Sequence, residues 1–496
     1  MQYHWLSALS FLTAVFLSGS NFAMSLVPWD DMQVKHTWAA APVDWEILGH
    51  PSAGTTLNLY ISLKSDRENA LKDTLHEVSN PRNPRHVPSS HLRSRLYSRV
   101  PLRRFRYGAY LSKAQVAELV RPHPNTLELI SAWLKHHGIR SSSVSTTHGG
   151  AWLTISDVLV SQANRLLGAS YRIYRKRDTN ETIIRTVGYA LPAVLHAHIQ
   201  TVTPTTHFAS MRVTRQTERR RSFGGTQAQT QEMSGALVTS RYLATNEIFP
   251  SLLRWLYGSY NYDTAAEDRN SLGIAGFDEF PSQGDLNKFN TELHTGAYAE
   301  TFEIVELNGV VGPYSRNPGW EANLGIQYAG GMAYPTPLVF YNTGLDGDPF
   351  LALLRTLTDD EDTPQTISIA YTLGDEEKVP PNQAIPICDL FMQLGARGVS
   401  VLIGSGSNGV GEGDCKDMSG NDRFLPDFPA SCTCGPLPLL PKYHTTARTG
   451  RLPIVSQVPM SLVSAEPQAI APRSRRASPE AASRLTLHAL PTRTAR

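Results

Sequence analysis

From Asn246 onward, short apolar runs alternate with helical segments, and no other feature of this sequence constrains the fold as strongly. Runs of this kind are typical of strands buried in a parallel sheet that carries helices on its faces. The predicted strands are Ser271 to Phe277, Glu303 to Leu307, Leu338 to Tyr341, Ile367 to Tyr371 and Val399 to Ile403, and the predicted helices are Gly284 to Leu293, Trp320 to Met332 and Ala384 to Leu394. The pattern therefore predicts an α/β layer fold with a mainly parallel sheet.

The preceding part, from Trp29 to about Thr203, has a different order of elements. Alternating residues predict strands, and apolar residues at helical spacing predict helices. The elements are a strand at Leu57 to Leu63, helices at Ser112 to Val120 and Asn125 to His136, a strand at Ala151 to Ile155, a helix at Asp157 to Leu167, and strands at Tyr171 to Tyr174, Ile183 to Val187 and Leu195 to Val202. This order predicts a compact α+β domain of the split βαβ, ferredoxin-like kind.

The N-terminus carries an apolar run, Trp5 to Leu17, of the length of a signal-peptide core. The run is too short to span a bilayer, and no other segment approaches that length, so we expect no membrane anchor. Small residues follow it and suit cleavage near Ala23. The sequence thus predicts a signal peptide over 1–23 and a secreted, extracellular protein, with Asn180 as a glycosylation acceptor. The alternative is a buried N-terminal helix.

Two basic stretches interrupt these patterns. Eight arginines and no acidic residue lie between Arg82 and Arg106, and the chain as a whole has a formal charge of only +2. We interpret the stretch at about 87–106 as a solvated insertion rather than a polyanion-binding patch, and expect no nucleic-acid partner. In the predicted linker, Arg219, Arg220 and Arg221 form either a processing site for a dibasic-cutting protease or a solvated charge run.

The C-terminal stretch, 435–496, has nine basic residues, nine prolines and two glutamates, a composition that predicts disorder. Just before it, Gly404 to Gly409 fits G-x-G-x-x-G after a predicted strand, but no helical pattern follows, so a dinucleotide site is not supported. All four cysteines lie between Cys388 and Cys434, and their pairing cannot be deduced from the sequence.

The segment Pro318 to Phe340, PGWEANLGIQYAGGMAYPTPLVF, resembles the sedolisin family of secreted serine-carboxyl peptidases, especially the fungal tripeptidyl-peptidases. Further segments are similar to the family in the same order: SLGIAGF at 271–277, PQTISIAY at 364–371, CDLFMQLGARGVSVL at 388–402, SGSNGVGEGDC at 405–415 and FPASC at 428–432. Tyr107 to Ile139 and Thr147 to Tyr171 resemble the family's pro-kumamolisin-type propeptide. The resemblance covers about Val27 to Cys432.

This resemblance implies a zymogen with a propeptide followed by a subtilisin-like α/β peptidase domain. The expected divisions are a signal peptide at 1–23, a ferredoxin-like propeptide at 27–203, a linker at 204–245, a truncated peptidase domain at 246–434 and a disordered tail at 435–496. Family members act in proteolysis on peptides or proteins at acid pH. The family's Ca²⁺ site belongs to a C-terminal portion that we expect to be missing, so we expect no metal and no cofactor here.

The resemblance also implies a Glu-Asp-Ser triad and an oxyanion-hole Asp, and most of these residues are absent. Glu321 occupies the position of the base, Gly325 that of the triad Asp and Ser407 that of the oxyanion Asp. The nucleophile belongs to a late Gly-Thr-Ser motif, and no Gly-Thr-Ser occurs in this chain. Because a hydroxyl nucleophile and its oriented base act as a unit, we predict no peptidase activity.

Two readings of the function follow. In the first, the chain is a tripeptidyl-peptidase precursor with an inactive, truncated peptidase domain, and Glu321 is a retained base or an ordinary helix-surface acid. In the second, it is a non-catalytic pseudopeptidase whose propeptide-like domain binds or inhibits active relatives. The basic insertion and the C-terminal tail do not match the family pattern. We hypothesise that the insertion is a retained intron and that the tail follows a frame change.

Overall fold

The computed structural model describes residues 29–67, 69–79, 108–177, 179–208, 247–262, 270–294, 296–297, 300–310, 318–345, 347–404, 421–422 and 426–432. Several predictions lie outside the described residues: the signal peptide, the basic insertion, Arg219 to Arg221, Ser407 and the tail. The described chain forms two sets of elements, one before residue 209 and one after residue 246.

The first set contains nine strands and four helices within the described residues. They are β1 (Met32–Thr37), β2 (Trp45–Gly49), β3 (Thr56–Leu63), α1 (Ala70–Ser79), α2 (Lys113–Val120), α3 (Pro124–His136), β4 (Val144–Thr146), β5 (Trp152–Leu159), α4 (Val160–Leu167), β6 (Arg172–Lys176), β7 (Thr182–Arg185), β8 (Gly188–Pro192) and β9 (Ile199–Thr203). The predicted helices over 112–120 and 125–136 are confirmed. Ser112 starts α2 with a capping box to Gln115, and Pro124 starts α3.

An antiparallel sheet of order β4-β5-β3-β9 forms the centre of this set. Leu59, Ile61 and Ile155 of the sheet and Trp133 of α3 are buried in one apolar core. The sheet therefore joins strands that are distant in the sequence, since β3 pairs with both β5 and β9.

Two predicted boundaries in this set are wrong. The helix predicted from Asp157 begins at Val160, because β5 continues to Leu159 in pairing with Thr56. Asp157 has a φ of 55° and its amide donates to the side chain of Asn58, so it lies in an irregularity of the strand. The strand predicted over 195–202 begins only at Ile199, and the unpredicted strand β8 precedes it and pairs with β1.

The second set contains a five-stranded parallel sheet of order β11-β12-β10-β13-β15. Its elements are α5 (Pro250–Leu256), β10 (Leu272–Phe277), α6 (Gln283–Leu293), β11 (Phe302–Leu307), α7 (Trp320–Ala333), β12 (Leu338–Thr343), α8 (Pro349–Asp359), β13 (Thr366–Ile369), β14 (Gly374–Asp375), α9 (Pro381–Ala396), β15 (Ser400–Ile403) and β16 (Asp427–Phe428). All four strand pairs of the sheet are parallel. The predicted parallel α/β architecture is confirmed.

Apolar side chains fill both faces of this sheet. Ile274 of β10 and Phe340 of β12 pack with α7 on one face. The Phe340 ring lies where a side chain at Gly276 would project, since a Cβ atom there would be 2.2 Å from Cζ of Phe340. The opposite face packs on α8 and α9, and α8 was not among the predicted helices. Glycine at 276 of β10 thus leaves room for the aromatic ring of Phe340 on the neighbouring strand β12.

The two sets pack directly against each other. Arg355 of α8 stacks its guanidinium over the ring of Tyr60 at 4.2 Å and donates to Thr154 Oγ1 at 2.9 Å. The amide of Leu111 donates to the carbonyl oxygen of Ala396 at the end of α9. A mixed apolar and polar contact therefore joins the antiparallel sheet and its helices to α8 and α9.

A disulfide bond between Cys388 and Cys432 ties α9 to the segment after β16. Both cysteines are buried in the core of the second set. No described helix combines the length and the apolar character that a bilayer crossing requires.

Candidate active site

Glu321 lies in the first turn of α7, at the edge of the parallel sheet where β10 ends. The chain leaves β10 at Phe277 and turns at Asp278, which has a φ of 53°. The amide of Gly319 then donates to the carbonyl oxygen of Phe280 at 2.9 Å, which fixes the start of α7 beside this turn. Glu321 is thus placed where active sites of parallel α/β sheets form, outside the carboxyl ends of the strands.

A second carboxyl group, Glu279, lies at the same place and was missed by the sequence analysis. Its Oε2 accepts a hydrogen bond from the amide of Ala322 at 3.2 Å. Burial raises the pKa of Glu279, and the amides of Ala322 and Glu321 and the hydroxyl of Tyr371 act in the opposite direction. The signal in the sequence is the pair of acidic residues, Asp278 and Glu279, that follows a predicted strand.

The pKa of Glu321 is raised to about 7, first because burial removes water from the carboxyl group and second because Glu279 is negatively charged nearby. A carboxyl group with this pKa carries a proton throughout the acid range. Glu321 can therefore donate a proton below about pH 7 and accept one above it.

Tyr371 follows β13 and is buried beside these carboxyl groups. Burial and the charges of Glu279 and Glu321 raise its pKa above the usual range, so its hydroxyl keeps its proton. The site therefore combines two carboxyl groups with one neutral phenol at the end of the sheet.

Position 325 contributes no polar group to this site. A Cβ atom built on Gly325 would lie 3.0 Å from Cγ2 of Ile274, a strand residue of the buried core. The side chain that would orient Glu321 from four residues further along the helix is absent, and Ile274 borders the space it would enter.

The remaining predicted site residues do not join Glu321 in the described structure. Asn180 lies in the exposed turn between β6 and β7, with a φ of 57°. Ser407 and Arg219 to Arg221 lie outside the described residues. Among the described residues, no three His, Cys, Asp or Glu side chains are grouped so as to hold a metal ion.

A buried polar cluster lies elsewhere, between β7, the segment after β9 and the start of α8. Nδ1 of His207 is 3.6 Å from Oδ2 of Asp348, which also accepts from Gln383 at 2.9 Å. Arg185 donates to the carbonyl oxygens of His207 at 2.7 Å and of Gly347. These groups border a cavity of about 50 Å³ and contribute to the contact between the two sets of elements.

Comparison with known proteins agrees with this arrangement. The family model for the pro-kumamolisin activation domain matches residues 90–208. Tripeptidyl-peptidase SED2 of Arthroderma otae is 28% identical over 85% of this chain and 69% of its own length. Probable tripeptidyl-peptidase SED3 of Arthroderma benhamiae is 31% identical over 66% of this chain and 56% of its own length. Pseudomonas sedolisin superposes with a TM-score of 0.30 at 18% identity, over 38% of this chain and 51% of its own, and has no weight in the assignment.

The activation-domain match and the parallel α/β sheet that follows it are the order of parts expected of a peptidase precursor. The motifs from Pro318 to Phe340 and the similarity to the SED enzymes extend across both sets of elements. The chain is similar to sedolisin-family tripeptidyl-peptidases across both sets of elements, in agreement with the sequence resemblance.

Proposed function

We propose that the chain is a secreted sedolisin-type tripeptidyl-peptidase precursor whose peptidase domain is catalytically inactive. The observation that supports inactivity is the surrounding of Glu321: position 325 has no side chain, and Ile274 borders the space that one would need. The sequence also contains no Gly-Thr-Ser for a nucleophile. A base that has neither a partner residue to orient it nor a nucleophile to activate can give only residual catalysis.

The finer architecture belongs to the same proposal. The order β4-β5-β3-β9 supports a ferredoxin-like propeptide over 27–203, and the parallel sheet with Glu321 at its carboxyl edge supports a subtilisin-like peptidase domain over 246–434. Active relatives would take peptides or proteins as substrates at acid pH. Secretion through a signal peptide at 1–23, glycosylation at Asn180 and processing at Arg219 to Arg221 complete the proposed precursor. We propose no metal or cofactor for the chain as it stands.

The test is release of tripeptide from an Ala-Ala-Phe reporter by the full chain at mildly acid pH. We expect no release above that of a sample without protein, while a purified active relative cleaves the reporter in the same buffer. Any activity should be checked with Glu321→Gln. Activity that disappears in this variant would overturn the proposed inactivity, and activity that persists comes from a contaminant.

The second candidate function is non-catalytic: the activation domain binds or inhibits active relatives. The observation that favours it is the set of contacts that this domain makes to its own second part, such as Gln200 with Asp389 and Thr154 with Arg355. The same groups could contact the equivalent surface of a relative, but only after they leave their own partners. We expect inhibition of an active relative by the full chain to be slow in onset. An absence of inhibition at micromolar concentration would count against this function.

A further inference from the structure

One face of the antiparallel sheet in the first set carries two aromatic rings and a hydroxyl group side by side. Tyr60 of β3 lies opposite Thr154 of β5, and Ser62 lies opposite Trp152. Side chains alternate between the faces of a strand and directly paired residues share a face, so these side chains project from the same side. Ile61, which alternates with them, is buried in the core on the other side. We call Tyr60, Trp152 and Thr154 the aromatic site.

The guanidinium of Arg355, from α8 in the second set, lies against the aromatic site. Its Cζ is 4.2 Å from the centroid of the Tyr60 ring and 5.4 Å from that of Trp152. One terminal nitrogen donates to Oγ1 of Thr154 at 2.9 Å, and Nε is buried without a hydrogen-bond partner. A guanidinium is planar and weakly hydrated and gains from ring faces, whereas an ammonium is compact and strongly hydrated. The contacts therefore favour an arginine end group over a lysine end group.

A cavity of about 410 Å³ lies beside the aromatic site. Tyr60, Arg355 and two carboxyl groups at the end of α8, those of Asp359 and Asp360, are part of its lining. Negative charge in a cavity raises the local concentration of cations, and Lys113, whose Nζ is 4.0 Å from Asp359, balances only part of it. A small cation can therefore approach the Tyr60 ring through this cavity once the side chain of Arg355 is removed.

We propose that the aromatic site binds an alkylguanidinium, the end group of an arginine side chain, and that Arg355 of the same chain occupies it. The site belongs to the first set of elements and its ligand to the second, so this recognition helps to determine which partner the first set accepts. In the second candidate function, on which this consequence rests, a relative is bound best when it presents an arginine at the position of Arg355. A relative with lysine there would lack the stacking and would be bound more weakly.

The test is isothermal titration calorimetry of the full chain carrying Arg355→Ala, with ethylguanidinium as the probe. Alanine empties the site and favours the helix. We expect ethylguanidinium to bind this variant with a dissociation constant on the order of 10 mM. The parent, whose site is occupied, should not bind it, and ethylammonium should bind the variant at least about tenfold more weakly. Equal affinity for the two cations, equal binding by parent and variant, or no binding by the folded variant would overturn the proposal.

Variants of Tyr60 separate the ring from the charge of the cavity. In the Arg355→Ala background, Tyr60→Phe keeps the ring and should bind ethylguanidinium with an affinity close to that of the single variant. Tyr60→Leu keeps apolar volume but removes the ring face, and should weaken binding at least about fivefold. Unchanged binding in the Leu variant would show that Asp359 and Asp360 attract the cation without the ring, and would refute the site.

Arg355→Lys tests the same selectivity with the side chain in place, and it does so even if the alanine variant fails to fold. The matched control is Arg121→Lys, an exposed arginine of the first set that lies 2.6 Å from Glu118 and has no ring contact printed by its geometry. We expect the thermal midpoint to fall by about 2–4 °C in Arg355→Lys and by less than about 1 °C in the control. Equal midpoints in the two variants would contradict the proposal.

The titration and the inhibition assay fail independently. An absence of inhibition of an active relative would remove the second candidate function and leave the binding of ethylguanidinium unchanged. An absence of ethylguanidinium binding would remove the arginine site whether or not the chain inhibits a relative.

Discussion

The side-chain amide of Gln200 donates a 2.8 Å hydrogen bond to Oδ2 of Asp389, across the contact between β9 and α9. Ser62 donates in turn to the side-chain oxygen of Gln200 at 2.8 Å. Burial raises the pKa of Asp389 to about 6, and the bond from Gln200 only partly offsets this effect. The contact between the two sets of elements thus includes a carboxyl group whose neutral form is favoured by burial.

Replacement of Asp389 should make the free energy of unfolding less dependent on pH. The pKa of Asp389 is about 6 in the folded chain against 3.8 for an ordinary Asp, so stability is lost as pH rises from 3.8 to 6. Asp389→Asn stays neutral and should be more stable than the parent by about 1–3 kcal/mol at pH 7.5, with no gain at pH 3.5. Urea unfolding at both pH values measures this. Asp362→Asn, in an exposed loop, should change neither value.

The titration of His207 should change the free energy of unfolding with pH in the opposite direction to that of Asp389. Burial, with Arg185 and His36 nearby, lowers its pKa to about 3. Its neutral form is stabilising above the ordinary pKa of 6.5, and this stability is lost as pH falls towards 3. The raised pKa of Asp348 acts in the other direction, since that carboxyl takes up a proton more readily in the folded chain.

His207→Gln should therefore lose less stability between pH 6.5 and 4 than the parent, by up to about 1.4 kcal/mol per pH unit. Thermal or urea unfolding at several pH values gives the slope. His76→Gln, an exposed residue of α1, is the control and should keep the parent's slope. A parent slope that persists in His207→Gln would show that His207 takes up its proton equally readily in the folded and unfolded chain, and would contradict the prediction.

Two glycines of α7 should respond differently to alanine. A Cβ atom at Gly331 would be 2.5 Å from Cγ of Pro250, whose ring cannot rotate away, whereas at Gly325 the nearest atom is a methyl carbon of Ile274 at 3.0 Å. Alanine gains about 1 kcal/mol of helix propensity at either position. We expect Gly331→Ala to lose more than about 1 kcal/mol overall and Gly325→Ala to stay within about 1 kcal/mol of the parent. Equal losses on urea unfolding would contradict this contrast.

Removal of the disulfide should destabilise the second set of elements. Cys388 and Cys432 are separated by 44 residues, and closing a loop of that length corresponds to about 4 kcal/mol on the chain-entropy model. The double variant Cys388→Ser/Cys432→Ser should thus have a clearly lower urea midpoint. It should also lose the sensitivity of that midpoint to dithiothreitol. A midpoint equal to that of the oxidised parent would mean that the bond does not form in solution.

The parallel sheet could be predicted because each strand is a local apolar run. The apolar composition of Ile367 to Tyr371 and of Val399 to Ile403 is enough to indicate that both are buried. The boundary at Asp157 could not be predicted, since β5 is extended to Leu159 by its pairing with Thr56, about a hundred residues earlier. Local propensity determined the kind of element, and tertiary pairing determined its end.

The candidate site was likewise only partly predictable from the sequence. Glu321 could be found because the segment from Pro318 to Phe340 resembles the family, and the same resemblance marks Gly325 as the position of the absent Asp. Glu279 could not be found, because its approach to α7 depends on a turn, on Gly319 and on a helix 43 residues away. A carboxyl group placed by such contacts becomes visible only when the two segments are seen together.

The contact between Gly276 and the ring of Phe340 also constrains the evolution of this chain. The ring fills the volume that any side chain at 276 would need, so a larger residue there is viable only if residue 340 becomes smaller first. A smaller residue at 340 leaves a cavity beside Gly276, which is tolerated at some loss of stability. Relatives of this chain should therefore vary at the two positions as a pair, and substitutions should have occurred first at the position of the ring.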